Sequence, residues 1–89
     1  MTEMPRHATH PAIVARLRRA EGHLRHVVAM IEGGEPCLDI ARQLQAVEAA
    51  LTAAKRTLIH DHIDGCLGSP GAEGIAEGLD ELKALAKLL

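Results

Sequence analysis

Apolar residues recur along this chain at alternating intervals of four and three. Ile40, Leu44, Val47, Leu51, Ala54 and Leu58 keep that spacing, which aligns them on one helix face and is the pattern of a helix packed lengthwise against another. The same spacing runs through Ile13, Leu17, Ala20, Leu24, Val27 and Ile31, with Val14, Val28 and Met30 widening the face. It returns in Ile75, Leu79, Leu82, Ala86 and Leu89, with Leu85 beside them. Three helices are predicted. The first starts at Pro11, where a missing N–H costs nothing, with Thr9 or His10 as its cap. The second is long, from Pro36 to Cys66, and the third is short. Gly33-Gly34 close the first helix, and Gly65, Gly68, Ser69, Pro70 and Gly71 form the second break. Gly22 sits inside the first helix, and a close helix crossing would account for it. Residues 1–10 carry no periodicity and are expected to be a flexible N-terminal arm, leaving residues 11–89 as a single helical domain.

Composition narrows the class. The 89 residues include no Phe, Tyr or Trp, so the core must be aliphatic. That suits helix on helix, argues against a β sandwich, and removes aromatic stacking as a means of holding single-stranded nucleic acid. A chain this short buries a modest core and often needs a partner. No apolar run approaches the roughly 18 residues of a membrane span and no signal peptide is visible, so a cytoplasmic protein without a membrane partner is expected. In that compartment two cysteines accompanied by histidines point to ligands or reactive thiols before a structural disulfide. No nucleophile, base and orienting group fall into a catalytic pattern, which argues against an enzyme, and nothing calls for an organic cofactor.

Charge is unevenly spread although the net value is only −2. Residues 4–31 hold Arg6, Arg16, Arg18, Arg19 and Arg25 against Glu21, whereas residues 71–89 hold Glu73, Glu77, Asp80 and Glu81 against Lys83 and Lys87. Arg16, Arg18 and Arg19 on a rigid helix are placed to grip phosphates, and Lys55 and Arg56 extend the basic surface.

The candidate chemistry lies on the second helix. Cys37 and His62 are 25 residues apart, or roughly 37 Å along a helix. Twenty-five steps of about 100° return the chain to within about 20° of its starting direction, and the 29 steps to Cys66 do the same. Cys37 therefore shares a face with His62 and Cys66 but lies at the other end. An antiparallel pairing of two such helices about a two-fold axis, near Ala49 to Leu51, would bring Cys37 of one copy to His62 and Cys66 of the other, twice. His62 and Cys66, at i and i+4, can chelate one ion. Two thiolates and an imidazole suit three-coordinate Cu(I), while Ni(II) or Co(II) would need a further donor, for which His7 and His10 are candidates. His60 points about 200° from His62 and is expected to face solvent, while Asp61 and Asp64 could orient ligands or solvate the helix end.

Through VARLRRAEGHLRHVVAMIEGGEPCLDIARQLQAVEAAL and LIHDHIDGCL the chain resembles the copper-sensitive operon repressor (CsoR/RcnR) family of small bacterial regulators. The resemblance implies a three-helix protomer, an antiparallel four-helix-bundle dimer and a homotetramer that binds operator DNA without a helix-turn-helix. It implies repression in the metal-free state and release from DNA on effector binding. By position, Cys37, His62 and Cys66 match the copper-type ligand triad, and Arg16 matches a position associated with DNA contact. The nickel/cobalt branch has an N-terminal histidine where this chain has Pro5, and copper sensors often have a tyrosine where it has Pro36. Cu(I) is thus the leading effector, Ni(II) or Co(II) the alternative, and a thiol-based redox or formaldehyde response a further one.

Overall fold

The computed structural model describes residues 10–68 and 75–89. They form three helices, α1 (His10–Glu32), α2 (Cys37–Gly68) and α3 (Ile75–Ala86). His10, expected at the end of the arm, is the first residue of α1, and residues 1–9 of that arm lie outside the described residues.

The turn from α1 to α2 is closed by glycine chemistry. Gly34 adopts φ 71°, a left-handed conformation that glycine enters without a side-chain clash. Its N–H donates to the Ile31 carbonyl at 3.1 Å and the Glu35 N–H donates to the Met30 carbonyl at 3.0 Å, the paired bonds of a Schellman termination. The Pro36 carbonyl accepts the Ile40 N–H at 3.1 Å, so Pro36 is the cap and Cys37 the first helical residue. Asp39 places a negative charge in that first turn, where the helix dipole favours it. At the other end α2 passes through Gly65 and runs to Gly68, two residues beyond the expected end at Cys66. A glycine costs a helix about 1 kcal/mol, too little to break one of 32 residues. Ser69, Pro70 and Gly71 of the expected break lie outside the described residues.

The short link folds α1 antiparallel along α2. Their contact buries one column from each helix: Ile13, Ala20 and Val27 on α1, and Val47 and Ala54 on α2, with Ile40 half-buried. The alternate residues of the same 4/3 pattern stay outside. Leu17, Leu24, Leu44, Leu51 and Leu58 are each between 41% and 45% exposed, and Ile31 is 57% exposed. Two further residues are buried: Met30, on the widened apolar face of α1, and Ile59, which lies outside the predicted seams. Gly22 marks no tight crossing within the chain, because a Cβ there would meet only the Arg25 guanidinium, at 3.7 Å.

The third helix packs on α2, near its C-terminal end, where Leu58 and Leu85 line a common cavity. Its inward residues are Leu82 and Leu85, whereas Leu79, Ala86 and Leu89 of the predicted seam are exposed. A helix of 12 residues contacts its support over few turns, so its crossing selects a patch and not a heptad stripe. The molecule extends 57 × 31 × 14 Å with a radius of gyration of 17.6 Å, against about 12 Å for a compact chain of this length. A slab 14 Å thick is little more than one helix deep. Among the described residues no helix is long and apolar enough to cross a membrane.

Candidate metal centre and basic face

The uninterrupted α2 separates the predicted ligands. Cys37 stands at its first position, beside the turn, as a free and exposed thiol. His62 lies 25 residues on, roughly 37 Å away along the axis. Cys66 follows one helical turn later, with its side chain outside the described set. Among the described residues no three His, Cys, Asp or Glu side chains of one chain come together to hold a metal ion. Cys37 also precedes Leu44 by seven residues, which puts it at the head of the exposed leucine column of α2.

At the opposite end all three helices meet. His62, with its side chain 21% exposed, places Nε2 at 3.2 Å from Glu81 Oε1 on α3. His10, at the start of α1, places Nε2 at 3.7 Å from Asp61 Oδ2. Both pairs border one cavity of about 220 Å³, lined by His10, Leu58, Asp61, His62, Glu81 and Leu85. Asp61 stands seven residues beyond Ala54, so a carboxylate occupies the column that is otherwise Ile40, Val47 and Ala54. Its Oδ2 is buried and makes no hydrogen bond among the described residues. Sequence reasoning gave Asp61 a role beside the ligands or in solvent, whereas the structure turns it toward α1. Its place in the heptad was the available signal. Glu81 was read only as part of an acidic helix, and nothing local in the sequence announces that α3 aims it at His62. His60 is exposed, as expected. His7 lies outside the described residues.

The basic residues divide. Arg16, Arg19 and His23 of α1 line a groove floored by Ala20, Ala50 and Ala53. Small floor residues leave the guanidinium groups standing above a shallow trough. Arg56 borders the adjoining groove, which shares Ala53, so these cations flank one continuous strip. Arg18 and Lys55 are exposed and line neither groove. Among the described residues Arg16, Arg18 and Arg19 have no carboxylate partner, and the arginine ion pair that does form, Arg25–Glu21 at 3.9 Å, is fully on the surface. One further contact escaped sequence reasoning: the His23 Nε2–H donates to Gln43 Oε1 at 2.6 Å, fixing the register of α1 on α2 beneath the arginines.

Comparison with known proteins bears on both features. Residues 9–88 match the family described as metal-sensitive transcriptional repressor. The copper-sensing transcriptional repressor CsoR of Mycobacterium ulcerans is 35% identical over 72 residues, 80% of this chain and 62% of that protein. CsoR of Bacillus subtilis is 35% identical over 80 residues, covering 84% of this chain and 79% of that one. The copper-sensing transcriptional repressor RicR of Mycobacterium tuberculosis is 38% identical over 65 residues, 66% of this chain and 68% of its own length. The match thus spans less than two thirds of the mycobacterial CsoR proteins. Among solved structures, the nickel-responsive transcriptional regulator InrS superposes with a TM-score of 0.75 at 37% identity, over 86% of this chain and 88% of that one. The named relatives sense two different metals.

Proposed function

The chain belongs to the metal-sensitive transcriptional repressor family, and from that premise we propose that it binds operator DNA in its metal-free state and is released when Cu(I) occupies a site shared between two subunits. The observation that carries this is the unbroken α2. It holds Cys37 and His62 too far apart to meet in one chain, and it sets Cys37 on a leucine column that needs covering. A second copy laid antiparallel on that column covers both sets of leucines. The axis passes near Leu51, and Cys37 of the partner subunit arrives beside His62 and Cys66. The result is a four-helix bundle with two equivalent sites, and two such dimers form the tetramer.

The donors fit a soft monovalent ion. Two thiolates and one imidazole satisfy Cu(I) without a fourth ligand. When bound, the ion supplies a bridge between subunits that their apolar packing alone does not make. His62 would supply the nitrogen donor, and Glu81, with Oε1 at 3.2 Å from its Nε2, would orient the ring and raise its basicity. Glu81 also ties α3 to the site, so closing the site acts on a second element. Arg16, Arg19 and Arg56 contact DNA phosphates, with Arg18 and Lys55 adding charge nearby. A change in subunit packing alters the spacing of these cations across the assembly, which is how the metal site and the DNA face are coupled.

A second reading is a Ni(II) or Co(II) sensor. It is favoured by one observation, that His10 borders the same cavity as His62 and could close a four-donor site.

Mixing two inactive variants tests the shared site. Cys37→Ala and His62→Ala homodimers should each lose tight Cu(I) binding. After subunit exchange, mixed dimers carry one intact site, so about a quarter of wild-type capacity should return. A mixture that recovers nothing would place all the ligands in one chain and overturn the proposal. For the DNA face, Arg16→Ala should weaken operator binding and lower its salt slope by about one for each protomer whose Arg16 contacts a phosphate; an unchanged slope in titrations from low to high salt would move the face elsewhere.

A further inference from the structure

We propose that Asp61 is a specificity-determining residue: it holds the His10 imidazole out of the metal centre and so keeps that centre three-coordinate. The inference rests on the Cys37/His62/Cys66 reading above and deepens it.

Three observations converge. First, His10 and His62 line the same cavity of about 220 Å³, so a second imidazole stands beside the ligand histidine without being part of the triad. Second, that imidazole faces a carboxylate, with His10 Nε2 at 3.7 Å from Asp61 Oδ2. Third, Asp61 is not a surface residue that happens to lie nearby. It occupies the buried column of the α1–α2 seam, its side chain is only 13% exposed, and Oδ2 makes no hydrogen bond among the described residues.

A buried carboxylate oxygen without a donor is costly, and more so when it carries charge. The His10 ring nitrogen faces it from the start of α1, across from Asp61 on α2. The gap of 3.7 Å exceeds a hydrogen bond but keeps the charge in reach of the ring. If His10 turned into the metal centre, Asp61 would lose that neighbour. The carboxylate and a bound metal therefore compete for one imidazole. The competition does not touch Cu(I), which is satisfied by two sulfurs and one nitrogen. It falls on divalent ions, which need the fourth donor to reach tetrahedral or square-planar coordination. Asp61 thus discriminates by withholding a ligand from the wrong ion, with no added contact to the right one.

The experiment uses reduced full-length protein under anaerobic conditions. Cu(I) and Co(II) affinities are measured by chelator competition, and the Co(II) ligand-field bands report coordination number. Asp61→Ala should raise Co(II) affinity about tenfold and shift the bands to a four-coordinate pattern, with Cu(I) affinity within about threefold of wild type. His10→Ala alone should change neither affinity. The Asp61→Ala/His10→Ala double variant should return Co(II) affinity to the wild-type value. Asp61→Asn, close in shape, should act in the same direction but more weakly, and it serves if Asp61→Ala does not fold. No gain in either Asp61 variant, a gain that survives removal of His10, or a loss of affinity in His10→Ala alone would overturn the proposal. Retention of Cu(I) affinity by Cys37→Ala would instead overturn the shared centre itself, whatever the Asp61 variants do.

Discussion

The two halves of each heptad meet different fates in this protomer. One column, Ile13, Ala20 and Val27 against Val47 and Ala54, is buried where α1 lies on α2. The other, Leu17, Leu24 and Ile31 beside Leu44, Leu51 and Leu58, remains exposed. The buried column includes alanines and valines, which let the helices approach, and the exposed one holds most of the leucines. The larger apolar side chains thus lie outside the hairpin. A protein that folded as an isolated hairpin would gain more by reversing the arrangement, since burial of a leucine is worth roughly 1.5–3 kcal/mol. The proposed dimer would answer this difference: the hairpin sets the shape, and a second copy laid on the exposed column would add the burial that the hairpin alone leaves out. The candidate-site residues follow the same division: Cys37 heads the exposed column, while Asp61 continues the buried one.

The comparison can be broken most severely at the centre of the exposed column. Leu51→Glu should leave helical content largely intact by circular dichroism yet convert the protein to monomer in sedimentation velocity, with tight Cu(I) binding lost at the same time. A stable oligomer in that variant would mean that the leucines serve some other contact. In the buried column, Ile13→Ala should cost about 2–5 kcal/mol of unfolding free energy, read by urea denaturation, while oligomers formed from folded protein keep their metal stoichiometry. If it altered stoichiometry before stability, the two columns would not be separable. The smallest effect is expected at Gly22, where the chain itself leaves room for a methyl group. Gly22→Ala should stabilise α1 by about 0.5–1 kcal/mol, seen as a raised Tm. A drop in Tm instead would show that a second copy packs against that position and would extend the exposed face around α1.

The open end of the hairpin differs from the turn end in the same instructive way. The turn is closed by backbone bonds around Gly34 and leaves Cys37 exposed. The open end gathers His10, Asp61, His62 and Glu81 from three helices around one cavity. One end therefore presents a bare thiol, and the other a ring already oriented by a carboxylate.

Local pattern was enough for much of this. The 4/3 spacing determined three helices and the apolar faces of the first two, Gly33-Gly34 determined the turn, and the 25 residues between Cys37 and His62 determined that these candidate ligands cannot meet in one continuous helix. Such features depend on residues near each other in sequence, or on the fixed rise and rotation of a helix, and both are properties of the chain itself. The tertiary structure decided which half of each heptad is buried, because the pattern marks both halves as apolar and only the crossing of α1 on α2 chooses between them. It decided that α2 runs on to Gly68 rather than ending at Cys66, the single-glycine penalty being outweighed by the rest of the helix. It decided the partners of the polar groups: Glu81 for His62 across 19 residues, Asp61 for His10 across 51, and Gln43 for His23 across 20. These pairings rest on where whole helices come to lie, and no periodicity within a single helix encodes the position of its neighbour.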